Sequence, residues 1–172
     1  MNPLASDAAF YASLPGKRIA AGVLITDGLD RVLLLQPSYK PTWEIPGGVV
    51  QAGESPRAAA RREVREELGL DIGLGRLLVV DWVAEDPPRT EGLVFVYDGG
   101  ILDGADRSIR LQRSELNAYG FVDLDGAVGL ASERAERRWK SALTARRLGR
   151  LLELEDGWRQ PLQPAGEAQP RP

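Results

Sequence analysis

The stretch GGVVQAGESPRAAARREVREELGL spans residues 47–70 and holds four glutamates, four arginines and four glycines. Ser55 is a good N-cap, Pro56 suits the first helical position, and Gly69 suits the position just past a helix end. The spacing therefore predicts a helix over 56–68. At about 100° per residue, Glu63 and Glu67 share one face, with Glu66 beside them. Ala60, Val64 and Leu68 form a neighbouring apolar stripe that can face a core. Three carboxylates on one turn repel each other unless cations answer them. Arg62 and Arg65 answer in part, and a divalent cation suits the cluster too, since Mg²⁺ takes one or two carboxylates and bridges substrate phosphates. A solvated charged helix between two turns is the bland alternative. The glycines at 47 and 48 let backbone approach the same site closely.

The rest of the chain limits what that cluster can do. There are 172 residues, 43% of them hydrophobic, which suits one domain with one core. Cysteine and histidine are both absent, so disulfides, thiolate sites and the usual general base are excluded. Acid–base chemistry must fall to carboxylates, lysine, tyrosine or metal-activated water, and any metal should be a hard cation held by oxygen. With 22 basic and 25 acidic residues, the formal charge of −3 gives no general case for binding nucleic acid or an anionic membrane. No apolar run is long enough to span a bilayer, and MNPLASDAAFYASL lacks the pattern of a signal peptide. The expectation is a cytoplasmic protein, with a homodimer left open.

Outward from residues 47–70, KRIAAGVLITD (17–27) and RVLLLQ (31–36) read as a hairpin around the turn GLD. A short strand is expected near Trp43–Ile45. RLLVVDWVAE (76–85) and GLVFVYDGGIL (92–102) read as strands flanking the loop DPPRTE, followed by shorter strands at IRLQ (109–112) and YGFVDL (119–124). From Ser132 to about Glu153 the apolar spacing is helical. The expected fold is α+β around a mixed sheet. Residues 1–158 form the domain in this reading, and the proline-rich tail 159–172 is expected to be disordered.

From Gly48 to Leu70 the sequence resembles the Nudix box. Gly48, Glu54, Arg62, Glu63, Val64, Glu66, Glu67, Gly69 and Leu70 fill every specified position, a chance match on the order of 10⁻¹⁰ per starting point. The resemblance implies an α/β/α sandwich and a hydrolase that cleaves a diphosphate linkage in a nucleoside diphosphate joined to a group X. It implies Mg²⁺ or Mn²⁺ held by Glu63, Glu66, Glu67 and the Gly47 carbonyl. Arg62 would orient a glutamate and Glu54 would brace the loop, while Gly48 and Gly69 serve the motif's backbone. A metal-activated water needs only a nearby carboxylate as base, which accommodates the missing histidine. The family often draws a further base or ligand from a later loop, and Glu115 is the candidate here.

Arg18, Lys40 and Trp43 are candidates for contacting substrate, although basic residues near turns are mostly solvent-facing. Tyr39, Trp82 and Phe95 could stack on a base, yet aromatics on strands usually pack in the core. Residues 133–153 carry seven basic and three acidic side chains, a surplus that either steers an anion or solvates a helix. Pro87 and Pro88 lie about where members acting on ADP-ribose carry a proline. Without cysteine, the isoprenoid diphosphate isomerases of this fold are excluded as a model. Two other readings stay open: a nucleotide-binding regulatory module without hydrolysis, and a hydrolase of a non-nucleotide diphosphate.

Overall fold

The computed structural model describes residues 3–103, 108–125 and 129–161. In chain order the elements are α1 (Pro3–Ser13), β1 (Arg18–Thr26), β2 (Val32–Pro37), β3 (Gly47–Val49), α2 (Pro56–Leu68), β4 (Leu77–Val83), β5 (Gly92–Ile101), β6 (Leu116–Val122), α3 (Glu133–Leu148), β7 (Leu152–Glu155) and β8 (Trp158–Arg159). The strands make one mixed sheet in the order β6-β2-β1-β5-β4-β7-β8, with β3 also paired to β1. β1 runs parallel to β5 and antiparallel to β2 and β3.

Strand periodicity explains why both faces of the sheet are covered. Successive side chains point to opposite faces. Ala21, Val23 and Ile25 of β1, with Leu33 and Leu35 of β2, pack against Ala59, Ala60, Val64 and Leu68 of α2. The alternate residues Leu24, Val32 and Leu34 pack with Trp139, Ala142, Leu143 and Ala145 of α3. A strand apolar at every position is thus buried on both sides, the α/β/α sandwich expected. Each fully buried leucine or valine contributes about 1.5–3 kcal/mol.

Several elements differ from expectation. α3 stops at Leu148 because Gly149 takes a left-handed conformation (φ 65°) and caps it. Leu152 and Leu154 then belong to β7, where Leu154 is buried and its neighbours Glu153 and Glu155 are exposed. Residues 109–112 are not a strand: the amides of Arg110 and Gln112 donate instead to the carbonyls of Leu68 and Glu67 at the end of α2. The segment near Trp43 supplies only an isolated bridge between Leu35 and Glu44. α1 and the short β3 carry no periodic signal that sequence reasoning could use. Of the expected disordered tail, Arg159 lies in β8 and residues 162–172 lie outside the described residues. Among the described residues, no helix is long and apolar enough to cross a membrane.

Part of the basic surplus of α3 is spent on the sheet and its turns. Arg146 pairs with Asp98 at 2.6 Å, Arg147 with Asp30 at 3.0 Å, and Arg138 with the fully buried Asp81 at 2.6 Å. Asp81 also accepts the Gly157 amide at 3.0 Å, so one carboxylate joins β4, α3 and the β7–β8 turn. Removing one partner of such a pair strands a buried charge. Arg138→Leu should therefore cost about 3–5 kcal/mol in urea unfolding, and adding Asp81→Leu should recover most of that loss. A single variant as stable as wild type would show that the pair does not hold these elements together.

Candidate active site

The site grows from the ends of α2. Ser55 accepts the Ala58 amide at 3.2 Å and Pro56 begins the helix. Ala59, Ala60, Val64 and Leu68 turn to the core, and the neighbouring face presents Arg62, Glu63, Glu66 and Glu67. Arg62 Nε and Nη2 donate to the two oxygens of Glu54, both at 3.0 Å. Its Nη1 donates to Glu63 at 2.7 Å and Glu66 at 3.0 Å, and Nη2 reaches the Val49 carbonyl at 3.2 Å. The bond to Arg62 holds the Glu54 carboxyl below its ordinary range, while its carboxylate partners, Glu54 first, raise the affinity of Arg62 for its proton. Glu54 also accepts the Gln51 amide at 3.1 Å, bracing the loop.

The glycines set how close the loop comes. Gly47 has φ of +150°, and a Cβ there would fall 2.4 Å from the Ala21 carbonyl oxygen. A Cβ on Gly48 would fall 2.4 Å from Glu63 Oε1. Only backbone without a side chain fits between β1 and the acidic face of the helix. The Gly47 amide then donates to Glu67 at 2.9 Å, so the link from Gly47 to the carboxylates seen here runs through its N–H.

Glu67 is the electrostatic centre. Burial pushes its carboxyl up to about 8; the Gly47 amide opposes that, and the charges of Glu63, Glu44 and Glu115 add to it. Glu115 sits in the turn before β6, brought in by the 109–112 segment that docks on the end of α2. Its side chain accepts from Gln112 at 3.2 Å. Glu44 belongs to this cluster although sequence reasoning missed it; no helical spacing links it to the box, and only the bridge to Leu35 carries it there.

Among the described residues, no three or more carboxylate, histidine or cysteine side chains converge tightly enough to hold a metal ion. Glu63 and Glu66 turn to Arg62, and Glu67 turns to Gly47. The donor chemistry still fits a hard divalent cation. The donors are carboxylate oxygens crowded around a buried, like-charged centre, the environment such an ion relieves.

A groove of about 450 Å³ opens beside the cluster. Arg18, Tyr39, Glu44, Gly47, Gly48 and Trp139 are among its lining residues. Of the three substrate candidates, Arg18 lines it. Lys40 does not; it pairs with Glu44 at 2.5 Å and lies 5.4 Å from the Tyr39 ring centre. Trp43 packs against the α3-side core instead of lining the groove. Phe95 also packs inward, on the α2 side, whereas Tyr39 and Trp82 are exposed. Arg89, Arg134 and Arg138 on the far wall were not singled out from sequence, since nothing local marks the turn and the helix start as facing one groove.

A NUDIX domain model matches residues 16–144 of the chain. The chain is 34% identical over 99 residues to an RNA pyrophosphohydrolase of Cereibacter sphaeroides, covering 56% of this chain and 55% of that protein. It is 43% identical over 98 residues to diphosphoinositol polyphosphate phosphohydrolase 3-alpha of Homo sapiens, covering 56% and 60%. The chain thus spans little more than half the length of these curated relatives. Among solved structures, a UDP-X diphosphatase superposes with a TM-score of 0.68 at 19% identity, over 87% of this chain and 74% of that one, a likeness of fold.

The raised Glu67 pKa has a measurable sign. Folding favours its protonated form, so its stabilising contribution is full below the ordinary value of 4.5 and is lost as pH rises towards about 8. In excess chelator, wild-type protein should lose a few kcal/mol relative to Glu67→Gln across that window, read from urea midpoints. Mg²⁺ or Mn²⁺ should restore the loss at the alkaline end. A pH-independent difference would mean that Glu67 is not held buried among like charges.

Proposed function

Because the chain belongs to the NUDIX family, we propose that it hydrolyses a phosphoric anhydride bond in a nucleoside diphosphate linked to a further group X. The observation that best supports this is Glu67, buried among Glu63, Glu44 and Glu115 beside an open groove. The named relatives differ in substrate but share cleavage of a diphosphate or pyrophosphate linkage in their names, which supports the bond rather than X.

Glu63, Glu66, Glu67 and the Gly47 carbonyl are the groups that would hold Mg²⁺ or Mn²⁺. When bound, the ion supplies Lewis acidity to the diphosphate and to the attacking water. Arg62 holds Glu63 and Glu66 in orientation, through bonds of 2.7 and 3.0 Å. Glu54 anchors Arg62 in turn. Glu115 takes the proton of the attacking water; its charge already reaches Glu67, and it sits on a turn outside the helix where a base can approach independently of the ligands. Arg18, on the groove wall, meets a substrate anion.

Hydrolysis should stop in excess chelator and return with either metal, measured by product formation across a panel of nucleoside diphosphate compounds. Glu67→Gln should lower turnover at least about a hundredfold while the protein stays folded, since the lost group acts on the transition state and its removal relieves repulsion. Near wild-type rates in that variant would remove Glu67 from the mechanism. Glu115→Gln should lower kcat strongly with KM within a few-fold. A silent Glu115 beside an inactive Glu67 variant would move the base into the box. Nucleotide binding with no turnover under either metal would favour the binding-module reading.

A further inference from the structure

The groove has two chemically distinct ends. Glu44, Gly47 and Gly48 line the end next to the carboxylate cluster, whereas Arg18 and Arg89 line the other, with Arg134 on the α3 wall. β1 gives the scale. Gly22 pairs with Gly47, and Arg18 lies four residues earlier on the same strand. At roughly 3.3 Å per residue, the arginine end starts about 13 Å from Gly47 along the sheet. That is beyond the reach of the two phosphates of a single diphosphate. Val83, Ala84, Val94 and Trp139 lie among the lining residues as apolar surface.

The guanidiniums at that end are under-used. Arg18 donates Nη2 to the Thr90 carbonyl at 3.2 Å, but its Nε is buried with no partner. The parallel register Arg18↔Gly92 sets the β4–β5 turn, which carries Arg89, beside it. Arg89 makes no side-chain hydrogen bond or ion pair among the described residues, and it is exposed. Among the described residues, Arg134 pairs with Asp156 alone, at 3.2 Å. Arg138 is excluded from this group because Asp81 takes its charge at 2.6 Å. The acid lining this end, Asp86, does not balance Arg18, Arg89 and Arg134. A neutral sugar or base would leave these donors unanswered, whereas a phosphate monoester accepts from several guanidiniums at once.

We propose that the substrate carries, beyond its diphosphate, a phosphate monoester on group X or on the nucleoside, held by Arg18, Arg89 and Arg134. This deepens the hydrolase reading and rests on it for the reaction, though not for the binding.

The test uses pairs of diphosphates that differ by one phosphate monoester: coenzyme A against dephospho-coenzyme A, and 2′-phospho-ADP-ribose against ADP-ribose. In at least one pair the phosphorylated member should have a kcat/KM about tenfold higher or more, the scale of one charge-assisted contact. Arg89→Gln with Arg134→Gln should bring that ratio close to one. Arg150→Gln, exposed beyond the end of α3 and off the groove, should leave the ratio unchanged. Arg89→Gln alone, on an exposed turn, serves if the double variant does not fold. Calorimetry of the same pairs on Glu67→Gln protein should show the phosphorylated member binding about tenfold tighter, independently of turnover. Preference in binding with no wild-type hydrolysis would overturn the hydrolase reading and leave this inference standing. Equal handling of both members in both pairs, a preference unmoved by the arginine changes, or no binding of any member would overturn the inference itself.

Discussion

One guanidinium fixes the geometry on which the acidic site depends. Arg62 uses all five of its N–H donors, on Glu54 twice, Glu63, Glu66 and the Val49 carbonyl. It therefore ties the 47–54 loop to the helix that follows and neutralises carboxylates that would otherwise push that helix apart. A lysine could supply the charge but not five donors in a planar fork. Glu67 lies outside this arrangement. It is left with the Gly47 amide and a surround of like charge, which makes it the place where a cation has most to gain.

The sheet sets where that site opens. β1 is buried along most of its length and carries neighbours on both sides, so its backbone is among the most constrained in the molecule. Its middle holds Gly47 against the acidic helix, and its start holds Arg18 at the far end of the groove. The 109–112 segment completes the arrangement from outside. By donating to the free carbonyls at the end of α2, it satisfies the helix terminus and delivers Glu115 with the same contacts.

What the sequence disclosed follows the range of the interaction. Ser55, Pro56 and Gly69 act within a turn of themselves, and the helix they bound runs Pro56–Leu68 as read. The unbroken apolar runs of β1 and β2 announced burial on both faces. Gly149 was a legible stop signal, but the leucines after it kept the helical spacing going and masked a strand. Residues 109–112 carry strand-like composition yet bond to a helix end, because composition reports burial and not the partner. Glu44, Arg89 and Arg134 were invisible as a group, since the bridge to Leu35, the β1–β5 pairing and the β7–β8 hairpin set their positions. Trp43, read as a substrate contact, is apolar surface that the core claimed first.

The β7–β8 hairpin has a bearing on how this protein is handled at the bench. The family match ends at residue 144, yet residues past it steady the groove wall. Gly157 sits so close to α3 that a Cβ there would lie 2.7 Å from the Arg134 carbonyl oxygen, and its amide reaches Asp81. Asp156 pairs with Arg134, and Trp158 lies under Arg137 with 4.2 Å between guanidinium and ring centre. A fragment trimmed to the boundaries of similarity would keep every box glutamate and lose the clamp on the opposite bank. Such a fragment would also lose Ala145 and Leu154 from the core and Arg146 from its pair with Asp98, so cloning limits for this chain belong after Arg159.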